Sequence, residues 1–364
     1  MHDGYEGALT GARSAQSFRI PHSAFRILLA LAAWLAPAVA TLASLKQVDE
    51  HPLYTMRYYG AYEGAASSSQ VVARLFGAAL PRPDGAGDGP PPRLRGGWGG
   101  QRPAWACALF AALGDGENMF YGRGFDWEYS PAILLFTDPP DGYASVSMVD
   151  FAYLGFASPT QARGLLDLPL TRRAPLLNAP FMPFDGMNEQ GLAVGMAAVP
   201  ASQMPRDPRK ETIGSLQVIR ELLDHAANVD QAVALMQRYN VDVEGGPALH
   251  YLIADSTGRA VLVEFYQGEM VVIPNEAPWH LATNFLRTAV GDNPQSQCPR
   301  YAHIYERLAA AQGRITPQEA MEILKGVAQP SMQWSIVYGM SRGEVEVVMG
   351  KKYEEVHELR LWEE

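Results

Sequence analysis

At 364 residues the chain is longer than one average domain, although a single large domain of helices and strands accommodates this length. Hydrophobic residues make up 48% and charged residues 19%, which is typical of a globular chain with a sizeable core. The formal net charge of −10 argues against a nucleic-acid partner, and two cysteines, Cys107 and Cys298, exclude a disulfide scaffold.

Residues 1–40 are interpreted as an N-terminal tail followed by a signal peptide. The apolar run before Pro37 is about ten residues long, which suits a signal-peptide h-region better than a membrane span of about twenty. Ala38-Val39-Ala40 matches a cleavage site. We therefore expect cleavage after Ala40 and a secreted or periplasmic protein, with an uncleaved membrane anchor extending to about Leu45 as the alternative.

Residues 41–106 are interpreted as a pro-segment that ends in a linker. A serine-led run with apolar residues at helical spacing, residues 67–80, predicts a helix. Residues 81–103 are dense in Pro and Gly, which indicates a linker or exposed loop. Such a tether suits self-cleavage just before Cys107, but an ordinary interdomain linker has the same composition.

A hairpin is predicted at the start of residues 107–364. Two apolar runs, residues 107–112 and 118–125, flank Gly114-Asp115-Gly116, and Asp-Gly in this position favours a tight turn. The hairpin would bring Cys107 beside Arg123 and Asp126. Since a guanidinium favours thiolate, this is a candidate nucleophile site. The alternative is a buried structural cysteine near a surface ion pair.

The spacing of these residues is similar to that of the choloylglycine hydrolase family. Arg123 and Asp126 follow Cys107 by 16 and 19 residues and lie in GRGFDW. The family includes bile salt hydrolases and penicillin V acylases, which are N-terminal-nucleophile (Ntn) hydrolases, and acid ceramidase and N-acylethanolamine acid amidase are similar relatives. Its usual motif is GRNxDW, so Gly124 stands where the family has Asn.

A second stretch, FDGMNEQGLAVGMAAV at residues 184–199, resembles the family's DGMNExGL motif. It predicts a turn stabilised by Asn188, followed by a strand over Leu192–Val199. In bile salt hydrolases an Asn on this strand contributes its backbone N–H to the oxyanion hole. The matching position is Ala198, which keeps a backbone donor.

A third match is Thr283-Asn284, which follows a predicted meander of strands. The Asn284 amide resembles the family's oxyanion donor. Arg300, at the start of a predicted helix, resembles the second arginine of the family, and we expect it to pair with Asp126. Arg307 on the same helix is expected to be a surface residue.

The remaining pattern alternates strands and helices. Ser215 and Asp230 are expected to cap two helices before Tyr239, and Thr316-Pro317 to begin another. Strands are expected over Ala132–Phe136, Ser145–Val149, His250–Ala254, Ala260–Phe265, Met270–Ile273, Trp334–Val337, Glu344–Met349 and His357–Leu361.

The pattern alone supports a mixed fold of helices and strands. The resemblance, which covers residues 107–364, implies an α+β fold: the Ntn-hydrolase αββα sandwich of two antiparallel sheets between helical layers. It further implies cleavage at Ala106–Cys107, after which the free α-amine of Cys107 serves as base for its own thiol. Asp126 would orient that amine, and Ala198 N–H and the Asn284 amide would hold the oxyanion.

The function implied is hydrolysis of the linear amide bond of a small N-acyl compound through a thioester at Cys107 (class EC 3.5.1), with no cofactor or metal. The acyl and amine groups, homo-oligomerisation and continued association of the pro-segment are left open. Three alternatives remain: acyl transfer, as in the acyl-CoA:6-aminopenicillanic acid acyltransferases; a papain-like protease using Cys107, His280 and Asn284; and a secreted binding protein without activity.

Overall fold

The structure is a computed structural model that describes residues 35–62, 107–127, 129–243 and 246–362. Ala38–Glu364 forms one compact unit. Met1–Pro37 forms a separate unit, of which residues 35–37 are described. The predicted helix at residues 67–80, the Pro/Gly-rich stretch and the Ala106–Cys107 bond lie outside the described residues, as does most of the predicted signal peptide.

The strands of the described chain are β1 Lys46–Asp49, β2 Leu53–Tyr58, β3 Ala108–Ala112, β4 Phe120–Asp126, β5 Ala132–Thr137, β6 Ser145–Asp150, β7 Pro183–Asn188, β8 Ala193–Ala198, β9 Glu211–Gly214, β10 Tyr239–Asp242, β11 Leu249–Ala254, β12 Ala260–Tyr266, β13 Glu269–Pro274, β14 Trp279–Ala282, β15 Met332–Gly339, β16 Glu344–Met349 and β17 His357–Arg360.

The labelled α-helices of the described chain are α1 Pro159–Arg163, α2 Leu170–Arg173, α3 Gln217–His225, α4 Val229–Met236, α5 Arg287–Val290, α6 Pro299–Ala310 and α7 Pro317–Val327. Short 3-10 helices cover Phe151–Leu154, Leu165–Asp167, Ala174–Phe181 and Pro294–Ser296. Residues 38–43 are also helical. Within the described ranges, no helix is both long and apolar enough to cross a membrane.

Two large sheets are formed by the described strands. The first has nine strands in the order β1-β2-β5-β6-β7-β8-β11-β12-β13, and the second has six in the order β14-β3-β4-β15-β16-β17. β9 and β10 form a separate parallel pair, and within the two large sheets the expectation of wholly antiparallel pairing fails at one place, because β2 pairs with β5 in parallel. This pairing requires a crossover between the two strands, and the chain supplies one, since β3 and β4 of the other sheet lie between them in sequence.

The layers are stacked as the resemblance implied, which confirms the αββα sandwich. On the outer face of the nine-stranded sheet, α3 packs on β7 and β8 and α4 packs on β11. On the outer face of the six-stranded sheet, α6 packs on β3 and β14, and α7 on β4 and β15. The sheets contact each other through β3, β8 and β11, and Tyr121 Oη donates to Leu252 O across this interface at 2.9 Å.

The hairpin predicted around Gly114-Asp115-Gly116 is confirmed as β3–β4, with Ala108 opposite Gly124 and Ala112 opposite Phe120. Asp115 orders the turn by accepting from Glu117 N at 3.0 Å and from Asn118 Nδ2 at 2.9 Å. A side chain at Gly114 would collide with the backbone of residues 312–313, since its Cβ would lie 2.1 Å from Gln312 O. Glycine is therefore required where the backbone at residue 114 comes close to that of residues 312–313.

Two predicted helix caps are wrong. The residue preceding α3 is Leu216 with no side-chain cap, not Ser215, and the N-cap of α4 is Asn228, which accepts from Gln231 N at 3.0 Å. Asp230 instead lies in the first turn of α4. The start of α7 is confirmed, because Thr316 and Glu319 form a reciprocal capping box ahead of Pro317.

The sequence pattern gave no indication of β1 and β2, which belong to the segment upstream of residue 107 and extend the nine-stranded sheet. Leu53, Tyr54 and Met56 of β2 are buried. The described part of this segment, residues 38–62, thus belongs to the same compact unit as the described residues from 107 onwards.

Candidate active site

Cys107 lies immediately before β3 and is buried. The strand it precedes is central, with β14 on one side and β4 on the other. Leu109 faces Ala282 of β14, so extending this antiparallel register by two residues places Cys107 opposite Asn284. The first and third sequence motifs therefore meet at the same end of the six-stranded sheet.

Arg123, in the middle of β4, is fully buried, and its ion-pair partner is Asp185 rather than Asp126. Its Nε lies 3.0 Å from Asp185 Oδ2, and neither side chain is exposed. Its guanidinium also lies over the ring of Phe125, 4.6 Å from the ring centre, and Nη2 donates to Met196 O at 3.3 Å. Arg123 and Asp126 are both buried, so the surface ion pair of the alternative interpretation does not form.

Asp185 is a site residue that sequence reasoning missed. It stands in the DGMN motif on β7, opposite Gly195 of β8, and that motif was the available signal. Tyr338 Oη donates to Asp185 Oδ1 at 2.5 Å. Burial raises the pKa of Asp185, while the neighbouring Arg123 and the Tyr338 hydroxyl act in the opposite direction.

Asp126 closes β4 and is buried near Cys107. Burial raises its pKa to about 7, although Arg300, Arg123 and a hydrogen bond from Gln329 N at 3.2 Å act to lower it. Oδ1 accepts that bond, and among the described residues Oδ2 has no hydrogen-bond partner. A buried carboxylate oxygen without a partner is available to a further donor.

Asn284, two residues after β14, contacts the end of β8. Its Nδ2 donates to Ala198 O at 2.7 Å, so the second and third motifs also come together. Arg300, in the first turn of α6, donates from Nη2 to Asn284 Oδ1 at 2.9 Å and from Nη1 to Cys107 O at 2.7 Å. Because Oδ1 accepts from Arg300, the orientation of the Asn284 amide is defined.

The Cys107 thiol has a pKa above its usual value. Burial is the main cause, and Asp126 acts in the same direction. Arg123 and Arg300 favour the thiolate, as expected for Arg123, but burial outweighs them. Arg123 therefore acts on the thiol in the expected direction, although the net shift of the thiol pKa is upward.

Gly124 replaces the family's Asn at a position that points away from Arg123. Its Cβ would meet the Met332 methyl group at 3.0 Å and the Leu324 side chain at 3.9 Å, on the side of helix α7. Since successive side chains of a strand alternate between faces, Arg123 projects towards the other sheet. The change from Asn to Gly124 therefore removes a side chain from the face of β4 that packs against helix α7.

The predicted turn at Asn188 is confirmed. Its Oδ1 accepts from Gln190 N and Leu192 N, each at 3.1 Å, and its Nδ2 donates to Leu223 O and Ala226 O of the α3 layer. Asn188 is the last residue of β7, and its side chain holds the β7–β8 turn against α3. Its role here is structural.

His280 does not form a papain-like arrangement with Cys107. It pairs with Ala111, four residues along β3 from Cys107, which corresponds to roughly 13 Å of strand. Its Nε2 is hydrogen-bonded with Ile273 O at 3.0 Å, and burial lowers its pKa to about 4. Both cysteines are free, and Cys298 is half-buried just before α6.

No cluster of three His, Cys, Asp or Glu side chains in the described part of the chain has the arrangement of a metal site. The groups gathered at Cys107 are a thiol, two guanidiniums, a carboxylate and an amide. Such a set can provide a nucleophile, charge stabilisation and hydrogen-bond donors for an acyl-transfer reaction.

Comparison with known proteins gives a match over residues 178–343, just under half of the chain, to the family model of acyl-coenzyme A:6-aminopenicillanic acid acyl-transferase. The matched stretch contains Asp185, Ala198, Asn284 and Arg300. This match supports the family resemblance over residues 178–343 and does not extend to Cys107, Arg123 or Asp126.

Solved structures of similar shape include penicillin V acylase from Agrobacterium tumefaciens, at 16% identity, with 70% of this chain and 86% of that chain covered and a TM-score of 0.46. A mutant conjugated bile acid hydrolase from Clostridium perfringens has 16% identity, 70% and 92% coverage and a TM-score of 0.49. No curated protein matches the sequence significantly.

Proposed function

We propose that this Ntn-type chain is an enzyme that hydrolyses the linear amide bond of a small N-acyl compound through a thioester at Cys107. The observation that carries the proposal is the convergence of Asn284 and Arg300 on Cys107, since Arg300 bonds both Cys107 O and Asn284 Oδ1. The family model, which describes an acyl-transferring enzyme, independently supports acyl chemistry.

The nucleophile is proposed to require self-cleavage between Ala106 and Cys107. The thiol would attack the Ala106 carbonyl, and the Ala106–Cys107 C–N bond would break to give a thioester and a free α-amine on Cys107. Water would then hydrolyse the thioester and release the thiol. An α-amine has a pKa of about 8, so it can accept the thiol proton and later give it to the leaving amine. Among the described residues Oδ2 of Asp126 has no hydrogen-bond partner, which supports a role as acceptor for this amine.

Burial of the thiol supports the same scheme. In the uncleaved chain burial raises the pKa of Cys107, so the thiol carries its proton and needs a base. Cleavage creates the base on the same residue. The Asn284 amide and the Ala198 N–H are the proposed oxyanion donors, and removing one such donor typically costs about 10² to 10³ in rate.

An apolar acyl group is proposed, on the strength of the aromatic side chains beside Arg123. Phe125 stacks with Trp127 at 6.2 Å and contacts Trp334 at 4.0 Å between ring centres. Phe184 contacts Phe125 at 5.4 Å, and Tyr153 contacts Phe184 at 5.1 Å. Trp127 and Tyr153 are only partly buried, so this cluster offers apolar surface next to Asp126.

Residues 41–62 are proposed to stay bound after cleavage. Strand β2 pairs with β5 along its whole length, and Tyr62 Oη donates to the buried Asp224 at 2.7 Å. Asp49 contacts His357 at 2.7 Å and Lys352 at 3.2 Å. These contacts support a mature enzyme of two polypeptides, which should co-elute on size exclusion and separate in denaturing gels.

Export is proposed from the sequence alone, on the apolar run before Pro37 and the Ala38-Val39-Ala40 site. N-terminal sequencing of protein recovered from the periplasm or medium tests it. A mature upstream chain that starts at Thr41 supports export, whereas one that starts at Met1 contradicts it.

Intact mass, N-terminal sequencing and an amidase assay test the central proposal together. Active protein should give a second N-terminus reading Cys-Ala-Leu-Phe. A fully active chain in which residue 106 is still joined to Cys107 would overturn the self-cleavage step. Cleavage without activity on any acyl amide would favour a binding protein.

Acyl transfer to an amine is the second candidate, and the family model that matches residues 178–343 favours it. Hydrolysis and transfer share the acyl-enzyme at Cys107 and differ only in the acceptor. An assay with an acyl donor and increasing amine acceptor separates them. New amide that accumulates at the expense of free acid would establish transfer.

A further inference from the structure

The loop that carries Asn284, residues 283–290, begins where β14 ends and includes the short helix α5. Its proposed oxyanion donor must be held within a fraction of an ångström, because a 1 Å misplacement can cost about 100-fold in rate. Asn284 itself is bonded to Ala198 and Arg300, and neither bond restrains the rest of the loop.

Glu264, on the neighbouring β12, supplies that restraint. Its side chain is fully buried, and its carboxylate accepts from Arg287 N at 2.7 Å and from Thr288 N at 2.9 Å. The Thr288 hydroxyl donates a further bond at 2.7 Å, and His250 Nδ1 lies 3.3 Å from Oε1. One carboxylate therefore binds three donors of a single loop.

These bonds favour an ionised Glu264. Burial raises the pKa of its carboxyl group, but the hydrogen bonds from His250 and Thr288 outweigh burial and leave the pKa below its usual value. Charge-assisted bonds to backbone N–H groups are stronger than neutral ones, and the carboxylate makes two of them at the start of α5.

The loop is also joined to α6, which carries Arg300. Arg287 Nη1 donates to the Tyr301 hydroxyl at 2.9 Å, and Phe285 contacts the Tyr301 ring at 5.2 Å. Tyr301 is buried. Glu264 thus restrains Arg287, and Arg287 contacts the residue that follows Arg300.

We propose that Glu264 is a positioning residue that fixes the 283–290 loop and thereby aligns Asn284 with Cys107. Glu264 touches neither substrate nor the Cys107 thiol. The expected effect of Glu264 on kcat rests on the proposed amidase function. The expected effect of Glu264 on the order of the loop does not depend on any substrate.

The substitution Glu264→Gln keeps the size of the side chain and removes its charge. Hydrogen exchange followed by mass spectrometry should show faster exchange in the peptide covering residues 283–290, with residues 249–254 of β11 unchanged. The matched control is Glu346→Gln, a partly buried strand glutamate on β16 that should leave both peptides unchanged. Unchanged exchange at 283–290 in Glu264→Gln would overturn the proposal.

The kinetic readout is a double-mutant cycle. Glu264→Gln should lower kcat by about tenfold to 100-fold with KM little changed, because the oxyanion forms only in the transition state. In an Asn284→Ala background the same substitution should lower kcat by less than about threefold, because the group it positions is gone. Equal losses in the two backgrounds would mean a merely structural role.

A milder variant covers the case in which Glu264→Gln does not fold. Thr288→Val removes only the hydroxyl donor, so exchange at 283–290 should rise and kcat should fall in the parent but not in the Asn284→Ala background. Loosening of the loop in a chain that hydrolyses no acyl amide would contradict the proposed function and leave the contact of Glu264 with the loop established.

Discussion

Arg123 Nε lies 3.0 Å from Asp185 Oδ2, and both side chains are wholly inaccessible to solvent. The pair joins the two most distinctive sequence motifs, GRGFDW on β4 and DGMN on β7, and bridges the two sheets. Desolvation offsets much of the attraction in an intact buried pair, but removing one partner leaves a buried charge without compensation.

Asp185→Asn should therefore destabilise the protein by roughly 3–5 kcal/mol, because the Arg123 guanidinium loses its anion in the core. Urea unfolding of the uncleaved Cys107→Ala chain measures this without interference from processing. The control is Asp207→Asn, which breaks a pair with the highly exposed Arg209 and should leave stability unchanged. Equal stability in the two variants would show that Asp185 is not the counter-ion of Arg123.

Cys107→Ser should lower turnover far more than Cys298→Ser. A serine hydroxyl is a poorer nucleophile than a thiol near neutral pH, whereas Cys298 is a free, half-buried residue ahead of α6. Initial rates on an acyl amide that the parent cleaves, together with intact mass, measure turnover and processing. Equal losses in both variants would point to a role for Cys298 in the site.

No histidine should be essential if the Cys107 amine carries the proton. His280→Ala should keep kcat/KM within about tenfold of the parent, because a true general base is worth about 10² to 10⁴. Asn284→Ala should lose about 10² to 10³ as an oxyanion donor. An inactive but folded and correctly processed His280→Ala would overturn this mechanism.

Asp126 should contribute a loss of stability to the uncleaved chain as pH rises from about 4 to about 7, whereas the buried His280, with a pKa of about 4, acts in the opposite direction over part of this range. Burial raises the pKa of Asp126 from 3.8 to about 7, so the folded chain holds this proton more tightly than the unfolded chain does. The Asp126 contribution to stability is present below pH 3.8 and is lost as pH rises through about 7. The buried Asp150, with a pKa also near 7, acts in the same direction.

Asp126→Asn in the Cys107→Ala background isolates the Asp126 contribution. Its unfolding free energy in urea should fall less between about pH 4 and pH 8 than that of Cys107→Ala alone. Asp207→Asn in the same background should follow the parent. Identical pH dependence with and without Asp126 would show that its carboxyl group does not hold a proton in the folded chain.

Much of the site was predictable because it lies in short motifs at the ends of regular elements. The Gly114-Asp115-Gly116 turn fixes the β3–β4 register, and this register brings Cys107 to the strand that holds Arg123. Thr283-Asn284 follows a strand that pairs with β3, so its position near Cys107 depends on that pairing. The roles of Asp126, Ala198, Asn284 and Arg300 stay predictions.

Which charged side chains pair with each other could not be predicted from local sequence. An ion pair of Arg123 with Asp126 was only the alternative interpretation of the motif, and the two residues lie three apart on a strand, so their side chains point to opposite faces. Arg123 thus faces Asp185 on the other sheet. The contacts of Glu264 were equally hidden, since residues 264 and 287 are joined only through the fold.

The sequence by itself determined the hairpin, most of the strands and long helices, and the candidate nucleophile, because turn chemistry and periodic burial are local properties of the chain. Only the tertiary structure decided which charges meet, and that β1 and β2 extend the nine-stranded sheet. The physical reason is that buried ion pairs and sheet edges are satisfied by partners far along the chain, and those partners are set by how the sheets stack.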